Sequence, residues 1–272
     1  MTPISNFILR TLLEEEDEEV WKTINGAKVQ VDNDGNIKQG PPNLVRDVTH
    51  NKIKFFVEHY AKAHKEGRLS AQLDSDFGPD KSNAVALLRS WGEASDRFGG
   101  QALQESVHRL GLTECERPSK IGYRTSEDVA RELKSKLPSM KMSIDEMTMR
   151  LYASTQVLMD QESLSLHRGL SGPYAMTVSN LKVGESLSVR ALSSYSSSKE
   201  GVKEFLKQFG TGTSRVLLEE KVDSKRVFMT YKHPFWRELA SKPNTTEAQR
   251  KSNIKWQNSQ AEHIILGKTN LS

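Results

Sequence analysis

The sequence predicts an α+β chain, a helical N-terminal half followed by a β-rich C-terminal half, and two observations carry this. From about residue 46 to 158, apolar residues recur at three- and four-residue spacings, the period of a helix face. After Gln161 they alternate with polar residues in short runs, the period of a half-buried strand. Runs of helices followed by runs of strands favour segregated α+β layers over a doubly wound parallel sheet. The length, 272 residues, suits one large domain or two modest ones. With 36% hydrophobic and 27% charged residues the composition is that of a globular protein.

Three regions are expected: an N-terminal extension at 1–45, a helical lobe at 46–142 and a β-rich core at 143–272. In the extension, Phe7, Ile8, Leu9, Leu12 and Leu13 lead into the acidic block Glu14 to Glu19. Val29-Gln30-Val31 and Asn36-Ile37-Lys38 flank Asp32-Asn33-Asp34-Gly35, a hairpin pattern. A calcium loop is the wrong description, because its glycine position falls on Ile37. In the lobe, Ile53, Phe56, Val57 and Tyr60 mark a first helix stopped by Gly67. Ala84 to Leu88 with Trp91 mark a second, expected to close before Gly99-Gly100. Leu103, Val107 and Leu110 mark a third ending at Gly111, and Thr125-Ser126-Glu127-Asp128 opens a fourth that stops before Pro138. Ser143-Ile144-Asp145-Glu146 has the form of a capping box and opens the last helix of the series.

Several function classes are disfavoured. No run approaches the roughly 18 apolar residues of a membrane span, so no membrane insertion is expected. The start, Met1 to Asn6, lacks the basic and apolar regions of a secretory signal, so export would use another route. Cys115 is the single cysteine, flanked by Glu114 and Glu116, which disfavour its thiolate; an inert role and a reducing compartment are expected. His59 and His64 stand five apart without an obvious third ligand, so no metal site is expected. A net charge of +4 calls for no nucleic-acid partner.

Three segments of the C-terminal half carry chemistry: the strand pattern Leu164-Ser165-Leu166-His167-Arg168-Gly169-Leu170, then Val183-Gly184-Glu185-Ser186-Leu187-Ser188-Val189-Arg190-Ala191-Leu192-Ser193-Ser194-Tyr195-Ser196, a strand pattern ending in a serine cluster, then Gln260-Ala261-Glu262-His263-Ile264-Ile265-Leu266, in which a glutamate precedes an apolar strand pattern. Their order and content resemble the arginine–serine–glutamate class of mono-ADP-ribosyltransferases, which includes C3-like toxins and bacterial effectors. The family pattern is an Arg-Gly strand, a Ser-x-Ser strand and a Glu- or Gln-x-Glu strand; Tyr195 departs from the usual central threonine. The resemblance spans roughly 143–272 and implies a mixed β-sandwich core that uses NAD as co-substrate. An arginine fork suits two phosphates, so Arg168 is expected to hold NAD, with Gly169 allowing close approach of the dinucleotide. Breaking the nicotinamide–ribose bond builds positive charge on the ribose, which the carboxylate of Glu262 would stabilise. Ser194 would hydrogen-bond Glu262 and fix its rotamer, Ser196 belongs to the same cofactor-binding motif, and Phe209 either stacks on nicotinamide or packs on a helix face.

Gln260 stands where arginine-modifying members carry glutamate, so the resemblance implies a non-arginine acceptor such as asparagine, threonine or serine. The connection from Lys232 to Gln260 corresponds to the family's target-selecting loop. It holds Lys232, Arg237, Lys242, Arg250, Lys251 and Lys255 against Glu238 and Glu247, an excess of four positive charges that would suit an acidic protein surface. Phe235, Trp236 and Trp256 are either contact aromatics or packing for the loop. The expected function is that of a bacterial effector, acting in the host cytosol on a host protein; ubiquitin and small GTPases are targets known in the wider family. The alternatives are an NAD glycohydrolase, a nucleic-acid ADP-ribosyltransferase, or an inactive adaptor with the same fold.

Overall fold

The computed structural model describes residues 20–24, 27–31, 37–39, 42–93, 98–115, 126–137, 139–181, 190–210, 214–239, 247 and 260–267. The chain is α+β, combining helices with antiparallel sheet. Its described residues fall into two compact units that interleave along the sequence. The first draws on Met1–His59, Asp74–Leu112 and Arg117–Arg150, the second on Tyr60–Leu73, Thr113–Glu116 and Leu151–Ser272.

The first unit begins with an antiparallel meander of β1 (Val20–Ile24), β2 (Ala27–Val31) and β3 (Ile37–Gln39). The expected hairpin strands are β2 and β3, with Val31 paired to Ile37, while their turn at 32–36 lies outside the described residues. Helix α1 (Pro42–Lys65) buries Ile53, Phe56 and Tyr60 along one side, and its last turn passes into the second unit. Gly67 closes it at φ 68°, with the Arg68 amide donating back to the Ala63 carbonyl at 2.8 Å, a glycine-terminated helix end. Helix α2 (Leu69–Phe77), which periodicity had not singled out, is divided between the units.

Helices α3 (Lys81–Glu93) and α4 (Phe98–Arg109) follow. Helix α3 closes before Gly99-Gly100, as expected, and both glycines belong to the first turn of α4, where they are buried. The reason is close packing. A β-carbon on Gly99 would lie 2.6 Å from the Leu87 carbonyl oxygen and 2.7 Å from Ser90 Cβ. Gly99→Ala therefore sets a helix-propensity gain of about 1 kcal/mol against an overpacking cost of about 1–3 kcal/mol. A lowered melting temperature is expected, and a raised one would mean that the two helices part freely.

Gly111 ends α4 at φ 65°, as expected. Helix α5 (Ser126–Lys136) buries Leu133, and α6 (Ile144–Gln156) opens on Ser143, whose hydroxyl accepts from the Glu146 amide at 3.1 Å. Asp145 at the head of α6 receives Arg109 Nη2 at 2.6 Å and the Ser106 hydroxyl at 2.6 Å, tying it to α4.

The second unit is built on one five-stranded antiparallel sheet, ordered β6-β4-β5-β8-β7. Its strands are β4 (Ser163–Ser171), β5 (Leu192–Ser196), β6 (Arg215–Asp223), β7 (Val227–Thr230) and β8 (Glu262–Leu266). Helix α7 (Gly172–Ser179) follows β4, α8 (Lys199–Phe209) follows β5 and the short α9 (Pro234–Glu238) follows β7. Leu166, Tyr195, Val222, Val227 and Ile265 form the core on one face. A sandwich would stack a second sheet on this one. Among the described residues of this unit there is one open sheet, and over β4 the cover is helical, supplied by Val202 and Leu206 of α8. Leu187 and Val189, expected on a strand, lie outside the described residues.

Candidate active site

Strand register decides which side chains meet. His167 of β4 pairs with Ser196 of β5, which pairs with Glu262 of β8. Side chains alternate between faces with a period of two. His167, Ser196 and Glu262 therefore stand in a row across three strands on one face, with Gly169 and Ser194 on that same face. Arg168, Tyr195 and His263 belong to the opposite face.

The Ser194 hydroxyl donates to Glu262 Oε1 at 2.7 Å. Ser194 is exposed and Glu262 half-buried, so the carboxylate is held in place while open to a ligand. A hydrogen bond of this length to a carboxylate is charge-assisted and limits its rotamers. Beneath the pair, Ser196 is buried and its hydroxyl donates to the Gln260 carbonyl, while the Ser198 amide donates to the same hydroxyl at 2.8 Å. The Ser197 amide donates to the Ala261 carbonyl at 3.2 Å, and the Tyr231 amide to the Glu262 carbonyl at 2.8 Å. Ala261 sits in the left-handed region at φ 44°, a conformation that costs a residue with a β-carbon about 1 kcal/mol or more. These contacts hold the turn that delivers Glu262 to the head of β8.

The other sequence-identified residues are placed differently. Arg168 is not brought to the Ser194–Glu262 pair. Its guanidinium lies over the Tyr195 ring, 5.6 Å from the centroid, on the core face, and its Nη1 is buried without a hydrogen-bond partner. Burial and the Glu220 carboxylate push the Tyr195 phenol up to about 12, with Arg168 acting in the opposite sense. Gly169 shares the face of Glu262, but the space above it is filled. A β-carbon there would lie 2.8 Å from Leu206 Cγ and 3.0 Å from Val202 Cγ1, so this glycine seats α8 on the sheet instead of admitting a dinucleotide. Phe209 is the last residue of α8, and its side chain lies outside the described residues. Gln260 immediately precedes Ala261, with its backbone carbonyl on Ser196.

Of the basic connection, Phe235 and Trp236 are buried and pack α9 inward, which assigns them to packing and not to partner contact. Lys242, Arg250, Lys251, Lys255 and Trp256 lie outside the described residues. Lys232 is 3.6 Å from Asp160. Cys115 is half-buried with its thiol pushed up by burial, and Sγ is 3.8 Å from the Arg190 carbonyl, which fits an inert thiol. His59 is bound to Asp76 at 2.7 Å.

His167 is the residue that motif matching passed over. It is 8% exposed, its Nδ1 is buried without a hydrogen-bond partner, and Glu219 Oε2 lies 3.9 Å from that nitrogen. The signal that finds it is strand alternation. Leu166 and Leu170 are core residues, so His167 must face away from them, toward the side of Ser196 and Glu262. Among the described residues no helix is long and apolar enough to cross a membrane. No protein-family model, no curated protein and no solved structure matches the chain.

Proposed function

We propose that the chain transfers ADP-ribose from NAD to a non-arginine side chain of a host protein, releasing nicotinamide. The observation that carries this is the 2.7 Å bond from Ser194 to Glu262, on adjacent strands and open to solvent. A carboxylate fixed beside a ribosyl centre stabilises the positive charge that develops as the glycosidic bond to nicotinamide breaks. Ser194 holds Glu262 so that little reorganisation is needed at that moment. The antiparallel sheet that sets the three motif strands side by side supports this reading.

Gln260 supports an asparagine, threonine or serine acceptor, since an amide in place of a carboxylate neither attracts nor deprotonates a guanidinium. The excess positive charge between Lys232 and Gln260 supports an acidic partner surface, ubiquitin or a small GTPase being examples of such targets. The protein would act as a virulence effector. In this proposal Arg168 acts through Tyr195, the neighbour of both Ser194 and Ser196, and Gly169 acts through the seating of α8.

Incubation of the full chain with labelled NAD and a eukaryotic lysate, beside Glu262→Gln, tests this. A discrete labelled protein band that the variant loses is expected, and mass spectrometry then names the acceptor residue. NAD consumption without a labelled protein would replace transferase by glycohydrolase or nucleic-acid modification. Binding of NAD without turnover would mark an inactive adaptor.

A further inference from the structure

We propose that the first unit carries a docking groove for the chain's own residues 7–19, a role independent of the NAD site. One side of α1, the end of α2 and the head of α6 line an open cavity of about 790 Å³, within the size range of sites that take a ligand. All of its walls belong to the first unit. The apolar part of the lining is aromatic. Phe56 and Phe77 are buried, whereas Phe55 is 65% exposed, the most exposed large apolar side chain among the described residues. Its ring lies parallel to the His59 ring and edge-on to Phe56. The groove therefore presents an aromatic surface to whatever enters it.

The carboxylates of the lining are engaged within its wall. An Asp76 oxygen lies 2.7 Å from His59 Nε2 and 3.8 Å from Arg150, and Glu146 accepts from Arg150 Nε at 2.8 Å. Asp80 is buried and accepts the amides of Lys141 and Met142 at 3.0 and 2.7 Å. The Arg150 guanidinium also lies over the Phe56 ring, 4.4 Å from its centroid. The two lysines of the lining are Lys141, exposed, and Lys52, half-buried. The open side of the groove is thus apolar with a cationic rim.

The segment ahead of β1 has the complementary composition. Phe7, Ile8, Leu9, Leu12 and Leu13 are followed by an unbroken acidic block from Glu14 to Glu19. Ile8 and Leu12, like Leu9 and Leu13, are four apart, the spacing by which a helix lays one face into a groove. The apolar residues would cover Phe55, and the acidic block would meet the lysines. The segment joins β1 at Val20, in the same unit. From Val20 back to Phe7 the chain spans up to about 43 Å, three times the radius of gyration of about 14 Å for a unit of this size. Reach is therefore not limiting. A tether this short gives the segment a local concentration of about a millimolar, which favours it over an external peptide of the same kind.

The test follows amide hydrogen exchange in the full chain and the binding of a fluorescent synthetic peptide of residues 5–19. The variants are Phe55→Asp, Lys141→Glu and the pair Leu9→Asp with Leu12→Asp. Phe55 and Lys141 are exposed, so their substitutions should spare folding, and those that retain the wild-type melting temperature are used. In the wild type, exchange at 7–13 is expected to be slowed at least about tenfold. Phe55→Asp should abolish this protection and Lys141→Glu should weaken it. The peptide should bind the Leu9→Asp, Leu12→Asp chain at least about tenfold more tightly than the wild type, whose groove is already filled. Unprotected residues 7–13, or a peptide that the double variant does not bind, would overturn the proposal. So would protection untouched by the groove substitutions, which would put the segment on another face. Equal peptide binding by wild type and double variant would make the groove a site for an external acidic peptide. Protection that rises with protein concentration would make a second copy the source of the segment. Either result ends docking within one chain. None of these readouts uses NAD, so the Glu262 site stands or falls separately.

Discussion

Glu262→Gln is expected to lower ADP-ribose transfer by about a hundred- to a thousandfold while NAD still binds. The substitution keeps size and hydrogen-bonding capacity but removes the charge that, in the proposed reaction, would stabilise a developing ribosyl cation. Ser194 can still donate to the glutamine oxygen, so the rotamer should survive and the loss should appear in kcat, not in KM. Ser194→Ala removes the rotamer restraint and leaves the charge, so a smaller loss is expected, about tenfold. The double variant should be no worse than Glu262→Gln alone, because a restraint on an absent charge has no further effect. Single-turnover nicotinamide release, with NAD affinity measured separately, checks all three. A Glu262→Gln enzyme limited only in NAD affinity would move the carboxylate from chemistry to binding.

Acidification from neutral pH to about pH 5 is expected to remove about 4 kcal/mol of folding stability through two histidines alone. His233 is fully buried; the Phe235 amide donates to its Nδ1 at 3.2 Å, so the proton sits on Nε2 and points to the Ser154 hydroxyl at 2.9 Å. No acceptor remains for a charged ring, and burial pushes its pKa down to about 3. His263 is pushed down to about 4 by burial and by the Lys232 ammonium. In the unfolded chain both titrate near their ordinary value, about 6.5. Below that pH the unfolded state binds protons that the folded state refuses, so stability falls as pH falls until each folded pKa is reached. Each group contributes about 1.4 kcal/mol per pH unit in that window, against a total domain stability of about 5–15 kcal/mol. His233→Asn retains an acceptor at the head of α9 and removes the titration. Its melting temperature should be lower at neutral pH but decline less steeply with acid. An unchanged acid slope would show that His233 is not the group responsible.

Much of this was legible in the residues because it follows from local periods. The helices at Ile53 to Tyr60 and Leu103 to Leu110, the Ser143 cap and the glycine stops at 67 and 111 needed only spacing, whereas the approach of Ser194 to Glu262, 68 residues apart, rested on the family resemblance. Gly99-Gly100 marked the close of one helix but not the start of the next, because a glycine pair looks the same whether it ends a helix or lets two helices touch; only the position of Leu87 and Ser90 distinguishes them. Arg168 was assigned by motif, although alternation from the core residue Leu166 already put it and His167 on opposite faces. Which face is the site depends on the pairing of β4 with β5, a non-local contact that sequence spacing does not encode. Gly169 illustrates the same limit, since the side chains that fill the space above it come from more than thirty residues later.

The turn at Gln260 and Ala261 has a consequence for how such a protein can diversify. Its two carbonyls are pinned by Ser196 and Ser197, and its last backbone step is fixed by the left-handed Ala261 before the strand begins. Substitutions, insertions and deletions between 240 and 259 end at this anchor, so drift in that stretch need not displace the carboxylate that follows it. One short region of the gene can thus vary freely while the position of Glu262 is inherited unaltered.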